Sequence, residues 1–293
     1  MGNPLDSLTL SGLVLLTGAT GTGKSALALD YAERHGQDII SADSRQIYKG
    51  MEIGTDAPTE EDRSRVRHHF VSCLSPDEDY SAFDYARDAL PVIDKEVKEK
   101  GTTLVVGGSY LYLRALLYEP DEIPPVPDCI KEEARLLYAH EGLDPIIAVL
   151  QEADPGYLER VDPHNHRRLL RAYEVYRASG KPFSSYHTGT RRRLPYPVTV
   201  ICIERDRPSL YERINARVDR MLAHGLIEEA KSLLPYKETN ALRTIGYKEV
   251  FGYLAGTLGG EECAALIKKH TRTFARHQIT TLKHLKYDIQ IPL

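Results

Sequence analysis

The sequence predicts an α/β fold: a parallel sheet flanked by helices, like that of P-loop NTPases, carrying an inserted all-helical domain. Three observations predict it. Gly18-Ala19-Thr20-Gly21-Thr22-Gly23-Lys24-Ser25 fits the pattern G-x-x-x-x-G-K-[ST] and stands between an apolar run and a helical pattern. Short apolar runs suited to buried strands return after helical stretches. Between Tyr118 and Pro195 no long strand pattern occurs, and helical stretches follow one another. The core is then expected over 1–118 and 196–293, and the insertion over 119–195.

Leu13-Val14-Leu15-Leu16 reads as a buried parallel strand. Ala26, Leu27, Leu29 and Ala32 suit a helix that runs to Gly36. Asp38–Ala42 reads as a second short strand, ending at Asp43-Ser44-Arg45-Gln46. His68–Ser72 is a further strand or edge. From Ser81 to Lys100 a helix is expected: Ser81 and Asp84 form a capping-box start, and Phe83, Ala86, Leu90, Ile93 and Val97 step by three and four. Gly101 stops it, and Pro91 is expected to bend it. Thr103–Val106 is another core strand, closed by Gly107-Gly108-Ser109 before a helix over 111–117.

Pro120, Pro124, Pro125 and Pro127 mark a linker. Helices are expected over 128–139, 144–153 and 165–179. The β-branched run Val198–Ile203 resumes the sheet. Pro208 opens a helix with Leu210, Ile214, Val218 and Met221 on one face. Further helices fall near 227–234, 247–254 and 261–285, and the last residues suit a short edge strand.

The 293 residues carry a net charge of −4, so overall charge announces no nucleic-acid partner. No apolar stretch approaches membrane-spanning length, and Met1-Gly2-Asn3-Pro4 does not read as a signal peptide. Cys73, Cys129, Cys202 and Cys263 are scattered without a C-x-x-C spacing and read as reduced thiols of a cytoplasmic protein.

The chemistry starts at the glycine-rich turn. Its backbone N–H groups can converge on phosphate oxygens, and the helix N-terminus adds partial positive charge. Lys24 is placed to reach the outer phosphates, and Ser25 to hold Mg²⁺. In many P-loop enzymes a second strand ends in a magnesium-organising Asp. Here that strand ends in Gly107-Gly108, which weakens a kinase or ATPase reading. Asp43 closes a neighbouring strand; it is a magnesium organiser, a base for a nucleophile beside the loop, or a turn-capping aspartate. Ser109 is a ligand contact or a helix N-cap. His68 and His69 point to opposite faces of a strand and read as structural.

Cations gather after the linker: nine between Arg160 and Arg193, against two acids. Arg167, Arg168 and Arg171 share roughly one side of a helix. The last helix carries Lys268, Lys269, Arg272, Arg276 and Lys283. Each patch is either a solvated face or a track for a phosphate backbone.

The ordered set Gly18–Ser25, Asp43–Tyr48, Ile53-Gly54-Thr55, His68-His69, Val106–Tyr112, Asp162-Pro163, Arg167–Arg171, Ser179–Pro182, Gly246-Tyr247 and Thr271-Arg272 resembles the tRNA dimethylallyltransferases (isopentenyl-tRNA transferases) over nearly the whole chain. The resemblance implies transfer of a dimethylallyl group from dimethylallyl diphosphate to N6 of the adenosine just 3′ of the anticodon in tRNA. Asp43 would be the base and Thr20 would touch the reacting groups. Gly18, Ala19, Thr20, Gly21, Thr22, Gly23, Lys24, Ser25 and Arg217 would hold the diphosphate, and Mg²⁺ would bind through Ser25.

The resemblance also implies that the helical insertion grips the anticodon stem-loop. It maps tRNA contacts to Asp43, Ser44, Arg45, Gln46, Ser109 and Lys131, and to Arg167, Arg168, Leu169, Leu170 and Arg171. Arg243, Thr244, Ile245, Gly246, Tyr247 and Lys248 form another such segment. Arg276, His277, Gln278, Ile279, Thr280, Thr281, Leu282 and Lys283 form the last. There the family pattern Lys-Arg-Gln-x-Thr-Trp has become Arg276-His277-Gln278-Ile279-Thr280-Thr281, so the stretch is expected to contribute less. Ala19 stands for a proline and Ser109 for a threonine, the latter keeping the hydroxyl. A monomer without membrane association is expected. Three alternatives remain: a prenyltransferase acting on free adenylate, a small-molecule P-loop kinase, and a non-catalytic RNA-binding protein.

Overall fold

The computed structural model describes residues 2–293. By its contacts the chain divides into two compact units, one running to Leu117 and resuming over Arg193–Leu293, the other covering Tyr118–Arg192.

The first unit is built on six strands: β1 (Gly12–Thr17), β2 (Ile39–Ser41), β3 (His68–His69), β4 (Thr102–Gly107), β5 (Val198–Glu204) and β6 (Ile289–Pro292). They lie in the order β3-β2-β4-β1-β5-β6, with every pairing parallel. β1 is buried along its whole length, as its unbroken apolar run demands for a central strand covered on both faces. The register aligns Thr17 of β1 with Gly107 of β4 and with Cys202 of β5, and Ser41 of β2 with Val106 of β4. All C-terminal strand ends therefore open on one edge. The chain leaves β1 for β2 and later returns to lay β4 beside β1, then β5 on its other side, which is where parallel sheets place a ligand crevice.

Local chemistry explains the helices that flank it. Lys24–His35 begins at Gly23, whose φ of 101° favours glycine, and ends at Gly36, whose N–H bonds the Ala32 carbonyl. Ala82–Lys100 starts from the reciprocal Ser81–Asp84 capping box and runs unbroken through Pro91 to Gly101. The last long helix, Gly260–Leu282, gives way to a 3₁₀ turn over Lys283–Leu285 before β6.

Beneath the sheet edge a second core forms from Ile47, Met51, Val218, Met221, Leu242, Tyr247 and Ile267. It clamps the segment after β2 onto the C-terminal helices. No helix among the described residues is long and apolar enough to cross a membrane.

The second unit holds helices Asp128–Glu141, Asp144–Ala153, Pro155–Leu158 and His166–Ser179 around Ala134, Ile146, Leu150, Leu169, Ala172 and Tyr173. Its two chain ends pair at Tyr118 and Arg191, and the Glu119 N–H bonds the Thr190 carbonyl. Asp154 is buried and satisfied, accepting both the N–H and the hydroxyl of Ser184 at 2.7 Å.

Candidate active site

The glycine-rich turn follows β1 and the Asp43 turn follows β2, and β4 lies between these two strands. Gly107 makes the approach possible: a Cβ there would lie 2.1 Å from the Ala42 carbonyl oxygen. The same crowding gives a physical reason why β4 ends in glycine where many P-loop enzymes carry an aspartate.

One cavity of about 430 Å³ lies at this edge, entirely within the first unit. Thr20, Lys24, Ser25, Asp43 and Arg217 line it, as do Ser109 and the 243–246 segment with Lys248. Burial pushes the Lys24 ammonium down to about 8 from an ordinary 10.5; the Asp43 carboxylate opposes that shift and the Arg217 guanidinium adds to it. Lys24 Nζ is 3.4 Å from the Ala19 carbonyl oxygen. A half-buried ammonium with so little compensation is set up to gain from an anion.

Arg217 reaches the turn from the helix Arg207–Ala223. Its Nη1 donates to Thr20 Oγ1 at 2.6 Å and lies 3.5 Å from Asp56, and its Nη2 donates to the Thr55 carbonyl. Its Nε is buried without an acceptor. Arg205 and Arg213, which sequence reasoning missed, strap the outside of the same turn: Arg205 donates to the Thr22 carbonyl and Arg213 to the Gly21 carbonyl. The spacing of Arg213 and Arg217, one helical turn apart, was the available signal.

Asp43 does cap its own turn, with Oδ1 accepting from the Arg45 and Gln46 N–H groups at 2.9 and 3.4 Å. The same residue lines the cavity, so the turn-capping carboxylate also borders the space where a ligand would sit. Ser109 is neither a simple N-cap nor free: its hydroxyl accepts the Ser44 N–H at 2.9 Å and thereby anchors the Asp43 turn to β4.

Several residues assigned to RNA contact are committed elsewhere. Leu169, Tyr247 and Leu282 are at most 1% exposed, so their side chains are core and not contacts. Leu170 and Ile245 pack partly against the same cores. Arg45 donates to the Asn240 carbonyl, and the Gln46 amide holds the carbonyls of Thr55 and Asp56. Gln278 turns inward between Thr20 and Gly108, and Ile279 packs with Ala19, Leu210 and Ile214. Arg243, Lys248, Arg276, His277, Thr280 and Lys283 are exposed, Thr244 and Thr281 are half-buried, and Gly246 is buried. On the helical unit Arg167 and Arg168 are exposed, Arg171 is half-exposed, and Lys131 is ion-paired with Asp128 at 2.8 Å.

Glu229 was not foreseen. It accepts the Ile53 and Gly54 N–H groups and the Tyr247 hydroxyl, so it fixes the segment that presents Thr55 and Asp56 to Arg217. His68 bonds the Val66 carbonyl and also lines the cavity, while His69 bonds Asp38. Asp38, His69 and Glu96 cluster at metal-ligand spacing, but the Lys100 ammonium already lies 2.8 Å from both carboxylates.

Ser25, at the first turn of its helix, lines the cavity together with the carboxylates of Asp43 and Asp56. Hydroxyl and carboxylate oxygens are the donors a hard cation such as Mg²⁺ takes, so the residues present fit that ion.

Comparison with known proteins agrees with this architecture. A family model described as IPP transferase matches residues 46–285. The chain is 41% identical over 274 residues to a tRNA dimethylallyltransferase 2 of Parabacteroides distasonis, covering 94% of this chain and 92% of the relative. Among solved structures, a full-length tRNA isopentenylpyrophosphate transferase from Bacillus halodurans superposes with a TM-score of 0.68 at 30% identity, over 97% of this chain and 90% of that one. A eukaryotic dimethylallyltransferase acting on tRNA shares the fold with a TM-score of 0.81 at 24% identity, over 97% of this chain and 74% of the other. With the matched segment running from the Asp43 turn's Gln46 to Leu285, at the end of the 3₁₀ turn after the last long helix, this chain belongs to the IPP transferase family.

Proposed function

We propose that this chain transfers a dimethylallyl group from dimethylallyl diphosphate to N6 of adenosine 37, the nucleoside 3′ of the anticodon in tRNA, and releases diphosphate. The observation that carries the reading is the joint lining of one cavity by an anion-seeking set, Lys24, Thr20 and Arg217, and by the carboxylate Asp43. The reported relatives are named for tRNA, which disfavours a free nucleotide as acceptor.

In this reading the N–H groups of the turn, Lys24 and Arg217 take the diphosphate, whose charge grows as the bond from its oxygen to the prenyl C1 breaks. The N6 lone pair forms the new C–N bond, and the displaced electron pair leaves with the diphosphate. Asp43 accepts the N6 proton. The Thr20 hydroxyl, aimed by Arg217, sits beside the reacting centre. Ser25 would hold Mg²⁺, which when bound would add positive charge against the diphosphate.

A stacked base cannot reach a cavity behind a strand edge, so the adenosine enters extruded. Its flanking phosphates meet cations exposed on the first unit, Arg243, Lys248, Arg276 and Lys283; the second unit, taken by itself, offers Lys131, Arg167, Arg168 and Arg171 to tRNA phosphates. The enzyme works as a cytoplasmic monomer.

Incubating unmodified tRNA with the protein, Mg²⁺ and dimethylallyl diphosphate, followed by nucleoside mass spectrometry, tests this. The expected product is adenosine carrying one dimethylallyl group at position 37. Prenylated AMP with untouched tRNA would replace the acceptor, and no prenyl transfer to either would end the proposal.

A further inference from the structure

Gln278 projects from the helix Gly260–Leu282 into the crevice between two strand ends. Its Oε1 accepts the Thr20 N–H at 2.8 Å, and its Nε2 donates to the Gly108 carbonyl at 3.0 Å. Both partners have fixed polarity, a donor on one side and an acceptor on the other, so the amide has one orientation that satisfies both. The fit is close: a Cβ on Gly108 would lie 2.6 Å from Nε2.

Thr20 is thus held from two directions, its backbone by Gln278 and its hydroxyl by Arg217. The next residue, Ile279, packs beside Ala19 and reinforces the contact between helix and turn. Arg276, His277 and Thr280 are exposed on the same helix. The helix therefore divides its labour, with one face set against the glycine-rich turn and the other a polar, cationic surface open to solvent.

We propose, building on the function given above, that Gln278 is a positioning residue for the diphosphate loop and not an RNA contact. It bridges the ends of β1 and β4, fixes the backbone of Thr20, and so sets where the diphosphate and the reacting carbon sit. The neighbouring Arg276 serves the RNA instead.

The test pairs Gln278→Met, close in size but unable to make either bond, with Arg276→Ala. Three quantities are read: inorganic pyrophosphate affinity by calorimetry without RNA, the KM for dimethylallyl diphosphate, and tRNA affinity by filter binding without donor. Loss of the bridge is expected to weaken pyrophosphate binding and raise the donor KM about tenfold, the scale of one or two hydrogen bonds, with tRNA affinity within about twofold. Arg276→Ala is expected to show the opposite split. Weaker tRNA binding by Gln278→Met with pyrophosphate binding intact would overturn the assignment, as would no change in either. Should Gln278→Met fail to fold, Gly108→Ala crowds the same amide from the other side and is expected to give the same split. Because pyrophosphate binding is read without RNA, a wild type that binds it yet prenylates no tRNA would overturn the reaction and leave the role of Gln278 in the loop decided on its own.

Discussion

The Oδ1 of Asp43 accepts the backbone N–H of Arg45 at 2.9 Å, so the residue both builds its own turn and lines the cavity with a carboxylate. Asn preserves the first function and abolishes the second. Asp43→Asn is therefore expected to lower kcat by about 10²–10⁴-fold, the range for a lost general base, while pyrophosphate affinity and thermal midpoint hold. Asp43→Ala also loses the turn and is expected to raise the KM for tRNA as well. Steady-state kinetics of the two variants, with calorimetry, separates the roles; an active Asp43→Asn would remove the residue as base.

Gly107 carries a different risk. A methyl group there meets the Ala42 carbonyl oxygen at 2.1 Å and its carbon at 2.4 Å, and both contacts are backbone. Neither can rotate away, so β2 and β4 must part. Gly107→Ala is expected to cost at least about 1–3 kcal/mol, as overpacking does, and to lower kcat by moving Asp43. Urea unfolding and single-turnover rates check this. A variant with full stability and activity would mean that the strand ends do not need their close approach.

How far the sequence reveals this site depends on range. The turn at 18–25, the capping box at Ser81 and the strands β1, β4 and β5 are local patterns, and each was readable from a dozen neighbouring residues. The Asp43 turn followed from one rule about strand ends in parallel sheets. What stayed hidden is long-range. Gln278 and Thr20 are 258 positions apart, Glu229 and Ile53 176, and no periodicity links either pair. The resemblance grouped Gln278, Ile279, Tyr247 and Leu282 with RNA contacts because it works by segment, while burial is decided residue by residue within a helix. The inward face of 276–283 is set by the turn it packs on, which appears only in three dimensions.

Glu229 gives the fold a pH signature. Burial raises its pKa above the ordinary 4.5, against the lowering effect of Tyr247 and the Ile53 and Gly54 N–H groups. The folded chain then holds the proton more tightly than the unfolded chain does. The stability tied to this group is complete below the unfolded pKa and declines as pH rises through the folded one. Glu229→Gln does not titrate, so the stability of wild type relative to this variant is expected to fall as pH is raised from about 4 to about 7. Denaturant unfolding across that range is the measurement, and a difference that grows with pH would contradict the burial argument. The variant also mismatches one donor, so it is expected to raise the KM for dimethylallyl diphosphate through Thr55 and Arg217.

The exposed arginines of the helical unit make a claim that salt can test. Arg167 and Arg168 lie on the first turn of the helix His166–Ser179, and Arg171 follows one turn on, with Glu174 3.7 Å away. Leu169 between them is buried, so the helix presents its cations outward while its apolar side holds the unit together. If the cations meet tRNA phosphates, each contact releases a counterion and steepens the fall of affinity with salt. Replacing all three with Ala is then expected to reduce the slope of log affinity against log salt by about 2, at roughly 0.7–0.9 per contact. Pyrophosphate affinity is expected to be unchanged, since these residues do not line the cavity. Filter binding of tRNA over a series of salt concentrations reads the slope, and circular dichroism confirms that the unit remains helical. An unchanged slope would mark the patch as a solvated face and move the RNA track to the cations around Arg243, Lys248 and Arg276.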